Sequence, residues 1–106
     1  MGKKASALDE FLRRVEDQFG HSIENIVLFG SYARGDYDEE SDIDVLIVGD
    51  VDFDELMNIV TDILLEYGEL ISPIVIKPGE FKRREDSFIK TVLREGKILY
   101  SSTSTS

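Results

Sequence analysis

Two aspartates set two residues apart, Asp42 and Asp44, open the apolar run Ile43-Asp44-Val45-Leu46-Ile47-Val48, and nothing else in the chain limits its fold as tightly. Alternate residues of a strand share a face. The spacing therefore predicts a strand over 42–48 with both carboxylates on one side and Ile43 and Val45 turned into a core. The two Cα atoms would lie about 6.5–7 Å apart, at roughly 3.3 Å of rise per residue. Carboxylates that close repel each other unless a cation sits between them. Hard oxygen ligands of this kind suit Mg²⁺, which takes one or two carboxylates together with substrate phosphates. Four consecutive apolar residues, Val45 to Val48, predict an interior strand covered on both faces.

Upstream, the β-rich run Ile23 to Phe29 ends at Gly30, and Phe29-Gly30-Ser31-Tyr32-Ala33-Arg34-Gly35 reads as a turn opening a short helix. Backbone N–H groups at such a start lack internal partners and attract anions. Gly30 would let the backbone approach a phosphate, Ser31 would add a hydroxyl, and Arg34 could pair with a phosphate or with a nearby aspartate. The stretch lacks the Gly-Lys-Ser/Thr ending of a P-loop, which excludes that motif. Alone it would be an ordinary strand-to-helix turn. Followed by Asp42 and Asp44, it is equipment for handling a nucleoside triphosphate.

Gly30-Ser31, Arg34-Gly35, a short acidic insert and Asp42-x-Asp44 together resemble the signature of the polymerase-β-type nucleotidyltransferase superfamily. The closest likeness is to its small stand-alone branch, the minimal nucleotidyltransferases, in their antitoxin-like form. It covers about Ile23 to Tyr100. The resemblance implies an α/β (α+β) fold, a small mixed sheet of three to four strands with helices packed on it. It implies that Asp42 and Asp44 hold Mg²⁺, with Mn²⁺ as a substitute, and that Gly30, Ser31 and Arg34 hold the phosphates of an NTP, by preference ATP. Active members usually carry a third carboxylate on the next strand. Here that strand, Leu70-Ile71-Ser72-Pro73-Ile74-Val75-Ile76, has no acid. The third position falls near Ser72 or Ile74, and Glu69 is the nearest substitute. Two metals normally stabilise both the entering and the leaving oxygen. The missing acid therefore sets an enzyme transferring a nucleoside monophosphate against two alternatives, an antitoxin-like module binding a helical HEPN-type partner and a non-catalytic nucleotide sensor.

The formal net charge is −10, from 22 acidic and 12 basic residues. That argues against a long nucleic acid as ligand, whose affinity comes from neutralised phosphates. It fits a metal-held triphosphate or a basic protein surface. Lys82-Arg83-Arg84 is a local basic patch. The chain has no cysteine, which excludes a disulfide framework and points to a reducing, cytoplasmic setting. The single His21 cannot make a zinc site by itself and reads as a surface residue. No run is long enough for a membrane span, and a match of the first six residues to the loose myristoylation pattern is read as chance.

The 106 residues fit one domain over 1–100 and a disordered Ser/Thr tail over 101–106, with an oligomer or partner left open. Ser6 and Asp9 suggest a capping box before a helix carrying Leu8, Phe11, Leu12, Val15 and Phe19. A second helix carries Phe53, Leu56, Met57, Val60, Ile63, Leu64 and Tyr67. Pro73 predicts an edge or bulged third strand over 70–77. Pro78 to Phe81 reads as a turn, Ser87 as cap of a last helix with Phe88, Val92 and Leu93, and Lys97 to Tyr100 as a short final strand or packed tail.

Overall fold

A computed structural model describes residues 3–83 and 87–101. The elements in order are α1 (Lys3–Phe19), a 3₁₀ turn (Gly20–Ser22), β1 (Ile23–Phe29), α2 (Gly30–Arg34), β2 (Ile43–Gly49), α3 (Phe53–Tyr67), β3 (Ile71–Ile76), α4 (Pro78–Arg83), α5 (Ser87–Glu95) and β4 (Lys97–Ser101). The four strands form one mixed sheet in the order β3-β2-β1-β4. β1 pairs antiparallel with β2 and with β4, and β2 pairs parallel with β3. This is the small mixed α/β sheet that the resemblance implies.

β2 is interior, as its apolar run requires. Ile43, Val45, Leu46, Ile47 and Val48 are all fully buried. The alternation divides them between two cores. Ile43, Val45 and Ile47 pack with Phe11 and Val15 of α1 and with Leu56, Val60 and Ile63 of α3. Leu46 and Val48 pack with Val27, Ile89 and Val92 on the α5 side. A strand covered by helices on both faces cannot slip register without pushing apolar side chains into water, so the position of Asp44 is fixed by its neighbours.

Several boundaries differ from those the pattern predicts. α1 as described runs from Lys3, so the expected cap Ser6 lies inside the helix, and Lys4 ahead of it is buried and bonded, as described below. In α3 the buried stripe is Leu56, Ile59, Val60 and Ile63, with Met57 and Tyr67 at its margin. Phe53 and Leu64 face outward. In α5 Ile89 takes the core place expected of Phe88 and Leu93, which are exposed. Pro78 starts a helix instead of a turn; its missing N–H costs nothing in a first helical turn. Ser72 and Pro73 lie within β3, which is an edge strand, so the absent donor of Pro73 faces away from the sheet. α5 starts at Ser87, and the residue preceding it lies outside the described ones. The side chains of the basic run Lys82-Arg83-Arg84 also lie outside them. β4 runs through Ser101, the first residue of the expected tail. Among the described residues no helix is long and apolar enough to cross a membrane.

Candidate functional site

The rim where β1 leaves the sheet and β2 enters it gathers the residues singled out in the sequence. Phe29, the last residue of β1, pairs with Asp44 across the antiparallel ladder. The chain then turns at Gly30 with φ +80°, a left-handed conformation suited to glycine. The turn brings the Gly30 backbone against the Asp44 carboxylate so closely that an added Cβ would overlap it. α2 follows, and no side chain caps its first turn. The hydroxyl of Ser31 has no partner among the described residues, and the Ser31 carbonyl accepts from Gly35 and Asp36 at 2.9 and 3.2 Å.

Asp44 lies on β2, whereas Asp42 sits just before the strand instead of on it. Ser72 brings the two together. It stands in register beside Asp44 across the parallel β2–β3 pair, and its Oγ donates to Asp42 Oδ2 at 3.1 Å. Both acids thus share one rim and one side of the sheet. Electrostatics agree. Burial pushes the Asp44 carboxyl above its ordinary value, the negative charge of Asp42 adds to the rise, and Arg34 opposes it. Arg34 is half exposed, and its Nε donates to Asp36 Oδ2 at 3.2 Å, so of the two partners open to it, here it takes an aspartate.

Glu69 is placed differently. Its carboxylate receives the buried ammonium of Lys4 at 2.6 Å. Among the described residues no three acids or histidines come together as a metal cluster. Of the two residues considered for a third acid, Ser72 stands in register beside Asp44 and Ile74 beside Leu46. Sequence reasoning left Ser72 and Ile74 both open and missed that the Ser72 hydroxyl bonds to Asp42. It missed Lys4 entirely, although the spacing Lys4, Leu8, Phe11, Val15 and Phe19 puts this lysine on the apolar stripe of α1.

The donors fit a hard divalent cation. Two carboxylates and a hydroxyl offer only oxygen, and the Gly30 backbone comes up against Asp44 with no side chain of its own in the way. Asp42 on this rim is exposed and Asp44 partly so. Cavities of about 710 and 520 Å³ lie elsewhere, one lined by Lys4, Tyr32, Tyr37, Tyr67 and Glu69, the other by Val51, Phe53, Pro73 and Lys77.

A family model described as a nucleotidyltransferase domain matches residues 8–99. The chain belongs to the nucleotidyltransferase domain family. A Methanocaldococcus jannaschii protein, provisionally named a protein adenylyltransferase, is 50% identical over 95 residues, covering 89% of this chain and 95% of its own. The protein adenylyltransferase MntA of Thermococcus cleftensis is 34% identical over 91 residues, covering 85% of this chain and 86% of its own. A solved structure of a tri-AMPylated Shewanella oneidensis HEPN toxin with an MNT antitoxin superposes with a TM-score of 0.59. It is 14% identical over 94% of this chain and 73% of that one, a likeness of fold. The resemblance to minimal nucleotidyltransferases is borne out, and with it the transferase class. Nucleotidyltransferases of this family generally use a divalent metal ion.

Proposed function

We propose that this nucleotidyltransferase moves AMP from ATP to a hydroxyl of a protein partner, and that the partner is a small HEPN-type protein. The observation that carries the reading is the rim itself: Asp42 and Asp44 on one side of the sheet, linked by Ser72 and faced by the Gly30 turn. The names of the relatives supply the acceptor class, a protein, and the nucleotide, an adenylate. The HEPN partner rests on the Shewanella complex. Such a reaction belongs in the cytoplasm, where ATP is abundant.

Asp42 and Asp44 would hold Mg²⁺, with Mn²⁺ as substitute; when bound, the ion neutralises triphosphate charge and polarises the phosphorus under attack. The acceptor oxygen forms a bond to the α-phosphorus and gives its proton to water, the bond to the bridging oxygen breaks, and pyrophosphate leaves. Gly30 and Ser31 present backbone N–H groups and a hydroxyl to the β- and γ-phosphates. Arg34 exchanges Asp36 for a phosphate oxygen, a charge-assisted contact of the same geometry. Ser72 holds Asp42 in place but cannot take up a proton from the acceptor as a third carboxylate would.

That last point favours a second reading, a module that binds nucleotide or partner without transferring. Incubation with ATP labelled at the α-phosphate, Mg²⁺ and the HEPN-type partner separates the two. Label on the partner, lost in Asp42→Asn and Asp44→Asn, is the expected result. A protein that melts higher with Mg-ATP yet labels nothing is a sensor. One that shows neither response is a binding module only.

A further inference from the structure

We infer that Lys4, on α1 and outside the Gly30–Asp44 signature, is a positioning residue for Asp42. Lys4 is 5% exposed, the one charged residue among the buried side chains of the described residues. Its Nζ donates to the Ser41 carbonyl at 2.6 Å, to the Glu39 carbonyl at 3.2 Å and to Glu69 Oε1 at 2.6 Å. Three donors meet three acceptors, so the ammonium is satisfied where an unpaired one would be prohibitive. The Ser41 carbonyl belongs to the peptide bond that leads into Asp42.

Asp42 needs such an anchor because it lies outside β2 and no ladder holds it. The segment before it is closed into a turn of its own. Asp38 Oδ1 accepts from the Glu40 N–H and from Ser41 Oγ, and the Ser41 N–H donates to the Asp38 carbonyl. Lys4 fastens that turn to the body at Glu39 and Ser41. The Ile43 N–H fastens the following residue to the Leu70 carbonyl at 3.0 Å. Ser72 fixes the carboxylate. Asp42 is therefore held from behind by Lys4, from in front by β3 and at its tip by a hydroxyl. Glu69 acts here as the counter-charge of the anchor, which gives this acid a part that does not require it to be a ligand.

The inference rests on the reading that Asp42 and Asp44 hold a divalent cation, and the test separates the two. Mn²⁺ binding to the full chain in the presence of ATP is measured by electron paramagnetic resonance, and hydrogen exchange of residues 38–43 is measured without metal. Lys4→Met is expected to weaken Mn²⁺ binding by about 10- to 100-fold, the usual cost of losing a group that orients a ligand, and to speed exchange over 38–43. Lys4→Arg restores most of both. Glu69→Gln keeps an acceptor for Lys4 and leaves the carbonyl bonds intact; it is expected to lower the melting temperature while Mn²⁺ affinity stays near that of the parent. Folded Lys4→Met that binds Mn²⁺ like the parent overturns the inference. Glu69→Gln that loses Mn²⁺ as Asp42→Asn does also overturns it, by making Glu69 a ligand. A folded parent that binds no Mn²⁺ with ATP overturns the cation reading itself.

Discussion

Asp44 is costly to keep ionised without a cation. Burial and the charge of Asp42 hold its pKa above the ordinary 3.8, and Arg34 offsets only part of this. As pH rises, the unfolded chain gives up this proton before the folded one does. Between the ordinary and the raised pKa the native state binds more protons, so stability falls through that window and stays lowered at neutral pH. Asp44→Asn removes the cost. In metal-free buffer at pH 7 the variant is expected to melt higher than the parent, on the order of a few degrees for a domain this size. The gain should vanish as pH falls below the ordinary carboxylate value. Mg-ATP should raise the melting temperature of the parent and leave that of the variant unchanged. A variant that melts no higher than the parent at neutral pH would mean that Asp44 is not where the fold places it.

The junction of β1 with α2 is where element geometry becomes site geometry, and Gly30 carries it. Its positive φ would cost another residue about 1–2 kcal/mol in backbone conformation alone. Gly68, which ends α3 with φ +73°, bears the same backbone demand with no atoms nearby. The two glycines therefore form a controlled pair. Gly30→Ala and Gly68→Ala should each lose about 1–3 kcal/mol in denaturant unfolding, and only Gly30→Ala should also lose cation binding, because its Cβ displaces the Asp44 carboxylate. Equal binding by the two variants would detach Gly30 from the site. The bounds of β1 and α2 were legible in the sequence because an apolar β-rich run stops at a glycine, and local chemistry decides both. The interior place of β2 was legible because a long apolar run needs cover on both faces. What was not legible depended on distant partners. Lys4 looks like a charged end of a helix until Glu69 and two carbonyls from residues 39 and 41 are brought to it. Asp42 looks like part of the strand until the ladder with β3 is seen to begin at Ile43. Pro78 suits a turn and a first helical turn equally, and only packing separates the two.

Taken whole, the molecule would offer the proposed nucleotide only half an enclosure. Ligand sites usually bury most of the ligand surface in a concavity, yet Asp42 and Asp44 line neither the 710 Å³ nor the 520 Å³ cavity. They stand on an open rim, with Asp42 exposed and Asp44 partly so. A protein partner seated on that rim would supply the missing wall, exclude water and present its acceptor hydroxyl to the α-phosphorus in one step. The chain's charge of −10 would also speed the approach of a basic surface. If the partner completes the site, nucleotide and partner must help each other bind, and linkage requires the help to be equal in both directions. The expected result is that Mg-ATP binds weakly to the chain alone and about tenfold or more tightly in the complex, within the usual range of such couplings. The affinity of the partner for the chain should then rise by the same factor when Mg-ATP is added. Calorimetric titrations around all four sides of this cycle, with a non-hydrolysable ATP analogue to prevent turnover, give both factors independently. An ATP affinity that ignores the partner would mean the rim is already a complete nucleotide site, and that the partner docks elsewhere on the surface.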